Sequence, residues 1–178
     1  MTDHFAGDVD SSFTATFSDI DSDGLPDLLL AADYRRSQVF IGDSGSFRPP
    51  TTSIALEIGF GMGSVVADFN GDLNQDWFVT GIFFPFDTSN NNGNRLMLGD
   101  GRGGIVDISA RTGIQSGGGG LVGCSTRVDL DGDIDIFHVN GYHSRPHTDL
   151  TRFAIVDPVR LLKTTAPPSL STFPTRLD

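Results

Sequence analysis

Three clusters of alternating aspartates recur along the chain, and each runs directly into a short apolar stretch. The first is Asp19-Ile20-Asp21-Ser22-Asp23-Gly24-Leu25-Pro26-Asp27, before Leu28-Leu29-Leu30. The second is Asp68-Phe69-Asn70-Gly71-Asp72-Leu73-Asn74-Gln75-Asp76, before Trp77-Phe78-Val79-Thr80. The third is Asp129-Leu130-Asp131-Gly132-Asp133-Ile134-Asp135, before Ile136-Phe137-His138-Val139. Their first aspartates stand 49 and 61 positions apart. Each unit therefore has room for several short strands, a period that suits a propeller blade.

A second feature repeats after the first two clusters. Ser37 to Phe47 and Asn94 to Ile105 each lead an apolar strand into a Gly/Asp turn and out again. Both read as β-hairpins in which Gly and Asp supply the positive-φ positions. The strands ahead of the second and third clusters, Gly61 to Ala67 and Gly119 to Ser125, are built from small residues, which lets neighbouring strands approach closely near a propeller axis. The expected class is all-β, with about four antiparallel strands per blade in roughly three repeats: about 12–48, 61–109 and 119–163. Residues 83–93 read as a surface loop, and the Pro/Ser/Thr-rich residues 164–178 as a poorly packed tail.

Composition agrees with this class. Of 23 acidic residues only Glu57 is a glutamate, and 22 glycines accompany the aspartates. Aspartate and glycine favour caps and turns, which argues against a helical bundle. With one lysine, Lys163, and a formal charge of -11, the chain has no basic patch for nucleic acid. A hydrophobic content of 38% with 14 Phe is too high for a disordered acidic tail. The single Cys124 excludes an intrachain disulfide and a Cys-rich zinc site. No run approaches a membrane span, and Met1-Thr2-Asp3-His4-Phe5 does not resemble a signal peptide.

Carboxylates at alternate positions repel one another unless a cation sits between them, and hard oxygen donors select Ca²⁺. In the first loop Asp19, Asp21 and Asp23 fill positions 1, 3 and 5, and Gly24 permits the sharp turn. The Leu25 carbonyl and Asp27 complete the expected shell. In the second loop Asp68, Asn70, Asp72, Asn74 and Asp76 take the corresponding places, with Leu73 where the turn glycine would stand. The third set, Asp129, Asp131, Asp133 and Asp135, reads as a loop two residues shorter, with Asp135 at position 7. Strand-like flanks and the lack of a Glu at position 12 argue against an EF-hand.

Enzyme motifs fail on context. Gly42-Asp43-Ser44-Gly45 spells the sequence around a trypsin-like serine, but only His4 lies upstream and the matching spot in the second unit is a plain Gly99-Asp100-Gly101 turn. Gly117 to Gly120 lacks the Gly-Lys-Ser/Thr of a P-loop. His138, His143 and His147 have no metal-binding spacing and read as structural or surface residues.

The loops and hairpins resemble the FG-GAP/VCBS-type repeats of integrin alpha-chain propellers, and more closely those of cartilage acidic protein and its bacterial relatives, over about residues 12–163. Asp19 to Leu28 and Asp68 to Trp77 match that family's D-x-D-x-D-G-x-x-D-[IL] loop, and Asn94 to Ile105 its hairpin. Asp76 to Thr80, Phe137 to Gly141 and Asp157 to Leu161 look like the cartilage-acidic-protein (ASPIC/UnbV) branch. The resemblance implies a secreted, non-catalytic, Ca²⁺-binding adhesion or protein-interaction module with a protein or glycan partner. A carbohydrate-binding propeller, or a hydrolase or lyase fragment on the same fold, are the competing expectations. Propellers close with four to eight blades, so three units imply a fragment of a longer secreted chain or self-association. The sequence contains no Arg-Gly-Asp and no N-glycosylation sequon.

Overall fold

The computed structural model describes residues 11–49, 51, 53–84, 92–116, 120–127, 132–140, 160–162 and 175–176. The fold is all-β. Each acidic loop joins two antiparallel strands, and each strand pair begins a small antiparallel sheet.

In the first sheet β1 (Ser12–Ser18), β2 (Asp27–Ala32) and β3 (Gln38–Phe40) pair in order, and the hairpin β4 (Gly42–Asp43) and β5 (Ser46–Phe47) continues the third strand past Ile41. The second sheet is β6 (Gly61–Ala67), β7 (Asp76–Gly81), β8 (Arg95–Gly99) and β9 (Ile105–Asp107), again in sequence order. The third is β10 (Gly120–Thr126), β11 (Asp135–Asn140), β12 (Arg160–Leu162) and β13 (Thr175–Arg176). Its outermost strand thus comes from the segment read as a tail. A meander of four strands per unit is the propeller-blade arrangement.

The blades stack face to face. β6 lies between β1 and β10, and the contact across each interface repeats. Thr16 Oγ1 reaches Ser64 Oγ at 2.8 Å between the first two blades. By strand register Val65 is the second blade's counterpart of Thr16, and a Cβ on Gly123 of β10 would meet Val65 Cγ2 at 3.0 Å. The lack of a side chain at Gly123 therefore serves interblade approach.

The core lies between the sheets. Ile20, Leu29, Val39, Ile58, Trp77 and Met97 fill the space between blades one and two. Val65, Phe69, Phe78, Leu96, Ile114 and Ile136 fill that between blades two and three. All six residues of β7 are buried, since Trp77 and Val79 face one neighbour and Phe78 the other. That explains its unbroken apolar run, the pattern of a strand covered on both faces. Among the described residues no helix is long and apolar enough to cross a membrane.

The register also corrects the reading of the third loop. Ser18 pairs with Asp27, Ala67 with Asp76 and Thr126 with Asp135, so three loops of equal length connect the three strand pairs. The third loop starts at Arg127, not Asp129. Asp129 takes the third position and Asp135 the ninth, and the loop is not shortened. The backbone agrees: the sixth residue has positive φ in each loop, at Gly24 (86°), Leu73 (71°) and Gly132 (104°).

Candidate metal centre

The first loop folds around its leading aspartate. Asp19 Oδ1 accepts the Asp23 N–H at 3.0 Å and Oδ2 accepts the Gly24 N–H at 2.9 Å. Asp23 is exposed and accepts the Leu25 N–H at 2.8 Å. Asp19, Asp21 and Asp27 converge, with one carboxylate oxygen of each within 4.8 Å of the others.

Within that group the oxygens are occupied differently. Both oxygens of Asp27 accept buried backbone N–H groups, from Ile20 and from Gly42, each at 2.7 Å. Asp21 Oδ2 pairs with Arg48 at 3.2 Å, whereas the buried Asp21 Oδ1 has no hydrogen-bond partner. Burial, with the charges of Asp27 and Asp23, raises the Asp21 carboxyl above the usual carboxylate range, against the pull of the Asp23 N–H and Arg48. An ionised oxygen left unpaired beside two further carboxylates is what a hard cation relieves. The donor set therefore fits Ca²⁺ at Asp19, Asp21 and Asp27.

The second loop repeats the scaffold with other side chains. Asp68 Oδ1 accepts the N–H groups of Gly71 at 2.7 Å and Asp72 at 3.1 Å, and Oδ2 accepts that of Leu73 at 2.9 Å. Asn70 Nδ2 donates to Asp72 Oδ2 at 2.9 Å, and Asp72 Oδ1 accepts the Asn74 N–H at 2.8 Å. Burial pushes the Asp72 carboxyl up, but the bonds from Asn74 and Asn70 outweigh it and hold it below the usual range. Asp76 is fully buried and reproduces Asp27: Oδ2 accepts the Phe69 N–H at 2.9 Å and Oδ1 the Gly99 N–H at 3.0 Å. Burial pushes its carboxyl up to about 6, the Gly99 and Phe69 amides oppose this, and the charges of Asp72 and Asp68 add to it.

The two loops lie at one end of the sheets, beside the turn that follows β8. A Cβ on Gly103 would stand 3.5 Å from the Asp21 Cβ, and one on Gly101 would stand 3.6 Å from Ser22 Oγ. In the third loop Asp135 is buried and opens its strand like Asp27 and Asp76. Asp133 is half-buried, and Asp129 and Asp131 lie outside the described residues.

Two residues important to the site carry no acidic signature. Gly42 and Gly99 donate their N–H groups to the ninth-position aspartates, and a Cβ on either would collide with the eighth-position carbonyl, of Pro26 or Gln75. They are glycines because of this close approach; the positive-φ positions of the two turns are Ser44 and Gly45, and Gly101 and Gly103. Their common spacing ahead of an Asp, as Gly42-Asp43 and Gly99-Asp100, is the signal that could have singled them out. The same geometry makes Gly42-Asp43-Ser44-Gly45 a hairpin.

No curated protein matches the chain. Residues 19–79, from the first aspartate of loop one into β7, match the FG-GAP-like repeat family.

Proposed function

We propose that this chain is a Ca²⁺-stabilised, non-catalytic β-propeller segment that serves as a binding or adhesion module outside the cell. The observation that carries the reading is the convergence of Asp19, Asp21 and Asp27 with Asp21 Oδ1 buried and unpartnered. An all-oxygen set of this kind takes Ca²⁺, and weak loops of this type fill at the calcium levels found outside cells. The ion's role is structural: it offsets carboxylate repulsion and couples binding to stability. The FG-GAP-like match supports a role in recognition over one in catalysis.

The first blade supports a docking role. Phe17 stands at the register position of Val66, which packs into the core between blades one and two. Phe17 itself is 63% exposed, and Phe13 on the same strand 61%. The face that the second blade covers with its neighbour is open on the first, and a further propeller blade, from a second copy or a longer chain, is the partner whose shape and apolarity match it.

A calorimetric Ca²⁺ titration followed by thermal unfolding in Ca²⁺ and in chelator tests the first reading. Binding with a clear rise in melting temperature supports it; a well-folded chain that binds no Ca²⁺ overturns it. For the docking face, sedimentation of the wild type and of Phe17→Ser measures self-association. A mass that falls in the variant supports pairing through this strand, whereas a monomeric wild type overturns pairing between copies.

A further inference from the structure

We infer that Arg48 is the resident counter-ion of the first loop: it neutralises Asp21 while the site is empty, and it thereby weakens Ca²⁺ binding there and lessens the stability lost in chelator. This rests on the Ca²⁺ reading of that loop. Arg48 Nη2 donates to Asp21 Oδ2 at 3.2 Å. The fold, rather than the reach of a long side chain, brings the two together. Gly42 donates its N–H to Asp27 Oδ1 at 2.7 Å and pairs with Phe47 across the β4–β5 hairpin, and the next residue, Arg48, donates its own N–H to the Ile41 carbonyl at 2.9 Å. The segment that carries Arg48 is thus tied to the loop whose third residue it pairs with.

The second blade shows what this position holds when the carboxylate is missing. Gly42 and Gly99 are counterparts, since each donates to a ninth-position aspartate. Gly42 pairs with Phe47 and Gly99 with Ile105, so Arg48 and Val106 are counterparts too. Asp21 and Asn70 both take the third place of their loops. A carboxylate there goes with an arginine, and a neutral amide with an exposed valine. The charge of Arg48 therefore answers that of Asp21. Because a guanidinium keeps its charge at working pH, it repels a divalent ion held by Asp19, Asp21 and Asp27. It takes only Oδ2, and the buried Oδ1 of Asp21 has no hydrogen-bond partner. Pair and ion can therefore coexist, the pair lowering affinity without closing the site.

Calorimetric Ca²⁺ titration of the wild type, Arg48→Gln and Arg48→Glu, with melting temperatures in chelator, tests this. Affinity should rise about three- to tenfold in Arg48→Gln at low ionic strength and further in Arg48→Glu, and the gain should largely vanish in about 1 M salt, where the Debye length is about 3 Å. Arg48→Gln alone decides the sign if Arg48→Glu fails to fold. In chelator Arg48→Gln should melt about 1–3 °C lower, through loss of a partly exposed ion pair. With Asp21→Asn already in place the same change should no longer lower that temperature, as expected of two residues that act together. Weaker binding in the Arg48 variants would make Arg48 a positioning residue for Asp21 and overturns the inference, as does an unchanged affinity. Absence of Ca²⁺ binding in the wild type and the variants alike overturns the underlying reading of the loop as well.

Discussion

Asp76 and Gly99 stand 23 residues apart and meet in a buried hydrogen bond of 3.0 Å, and Asp27 and Gly42, 15 residues apart, make the same bond at 2.7 Å. In both blades the ninth loop residue thus ties the acidic loop to the third strand, whatever lies between. The aspartate that opens the second strand is a ligand candidate and a clamp at once. Its clamp role needs no metal.

The clamp predicts that Asp76→Ala in chelator lowers stability by roughly 2–4 kcal/mol, because the buried amides of Phe69 and Gly99 lose their acceptor together. Asp23→Ala, at an exposed position, should stay within about 0.5 kcal/mol under the same conditions. Urea unfolding followed by fluorescence of Trp77, the one tryptophan, measures both. Similar values for the two variants would show that Asp76 does not clamp its blade.

Close approach at the partner glycine predicts a steric penalty. Gly42→Ala and Gly99→Ala each force a methyl against a backbone carbonyl that has little freedom to move, and a loss of about 1–3 kcal/mol is expected from overpacking. The measurement is the same urea midpoint. Unchanged midpoints would mean that the loops yield at Pro26 and Gln75.

At Leu73 a stabilising change is expected. This side chain is 87% exposed and sits at φ 71°, where a non-glycine residue is strained. Its counterparts Gly24 and Gly132 avoid that strain. Leu73→Gly should raise stability by about 0.5–1 kcal/mol, the relief of left-handed strain exceeding the added freedom of the unfolded chain. A fall in melting temperature would contradict this.

Calcium dependence should map onto the first loop. Chelation is expected to lower the melting temperature of the wild type, and Asp21→Ala should remove a large part of that difference. Asp43→Ala, on the exposed hairpin of the same blade, should preserve it. Equal effects from the two variants, read by differential scanning calorimetry, would remove Asp21 from the cation shell.

Much of the candidate site was legible because its chemistry is local. Alternating carboxylates within one short loop repel one another wherever the loop ends up, and Asp19, Asp21 and Asp27 do converge into a group that could hold a cation. The third loop was misread for a physical reason. Its length is defined by which residues pair across the strands, and an arginine at the first position hides the start from any count that begins at an aspartate. Asp23 was placed in the shell by spacing, yet the fold leaves it exposed and turned to the Leu25 amide.

By itself the sequence determined the repeating unit: short strands, turns and acidic loops, all set by residues close together in the chain. Tertiary structure alone decided which faces are covered. Trp77 and Phe78 are buried on opposite sides of β7 because blades flank it, while Phe17 on β1 is exposed. It also decided why Gly42 and Gly99 must be glycines. Such properties depend on contacts between residues far apart in the chain, and those contacts exist only once the strands have paired and the blades have stacked.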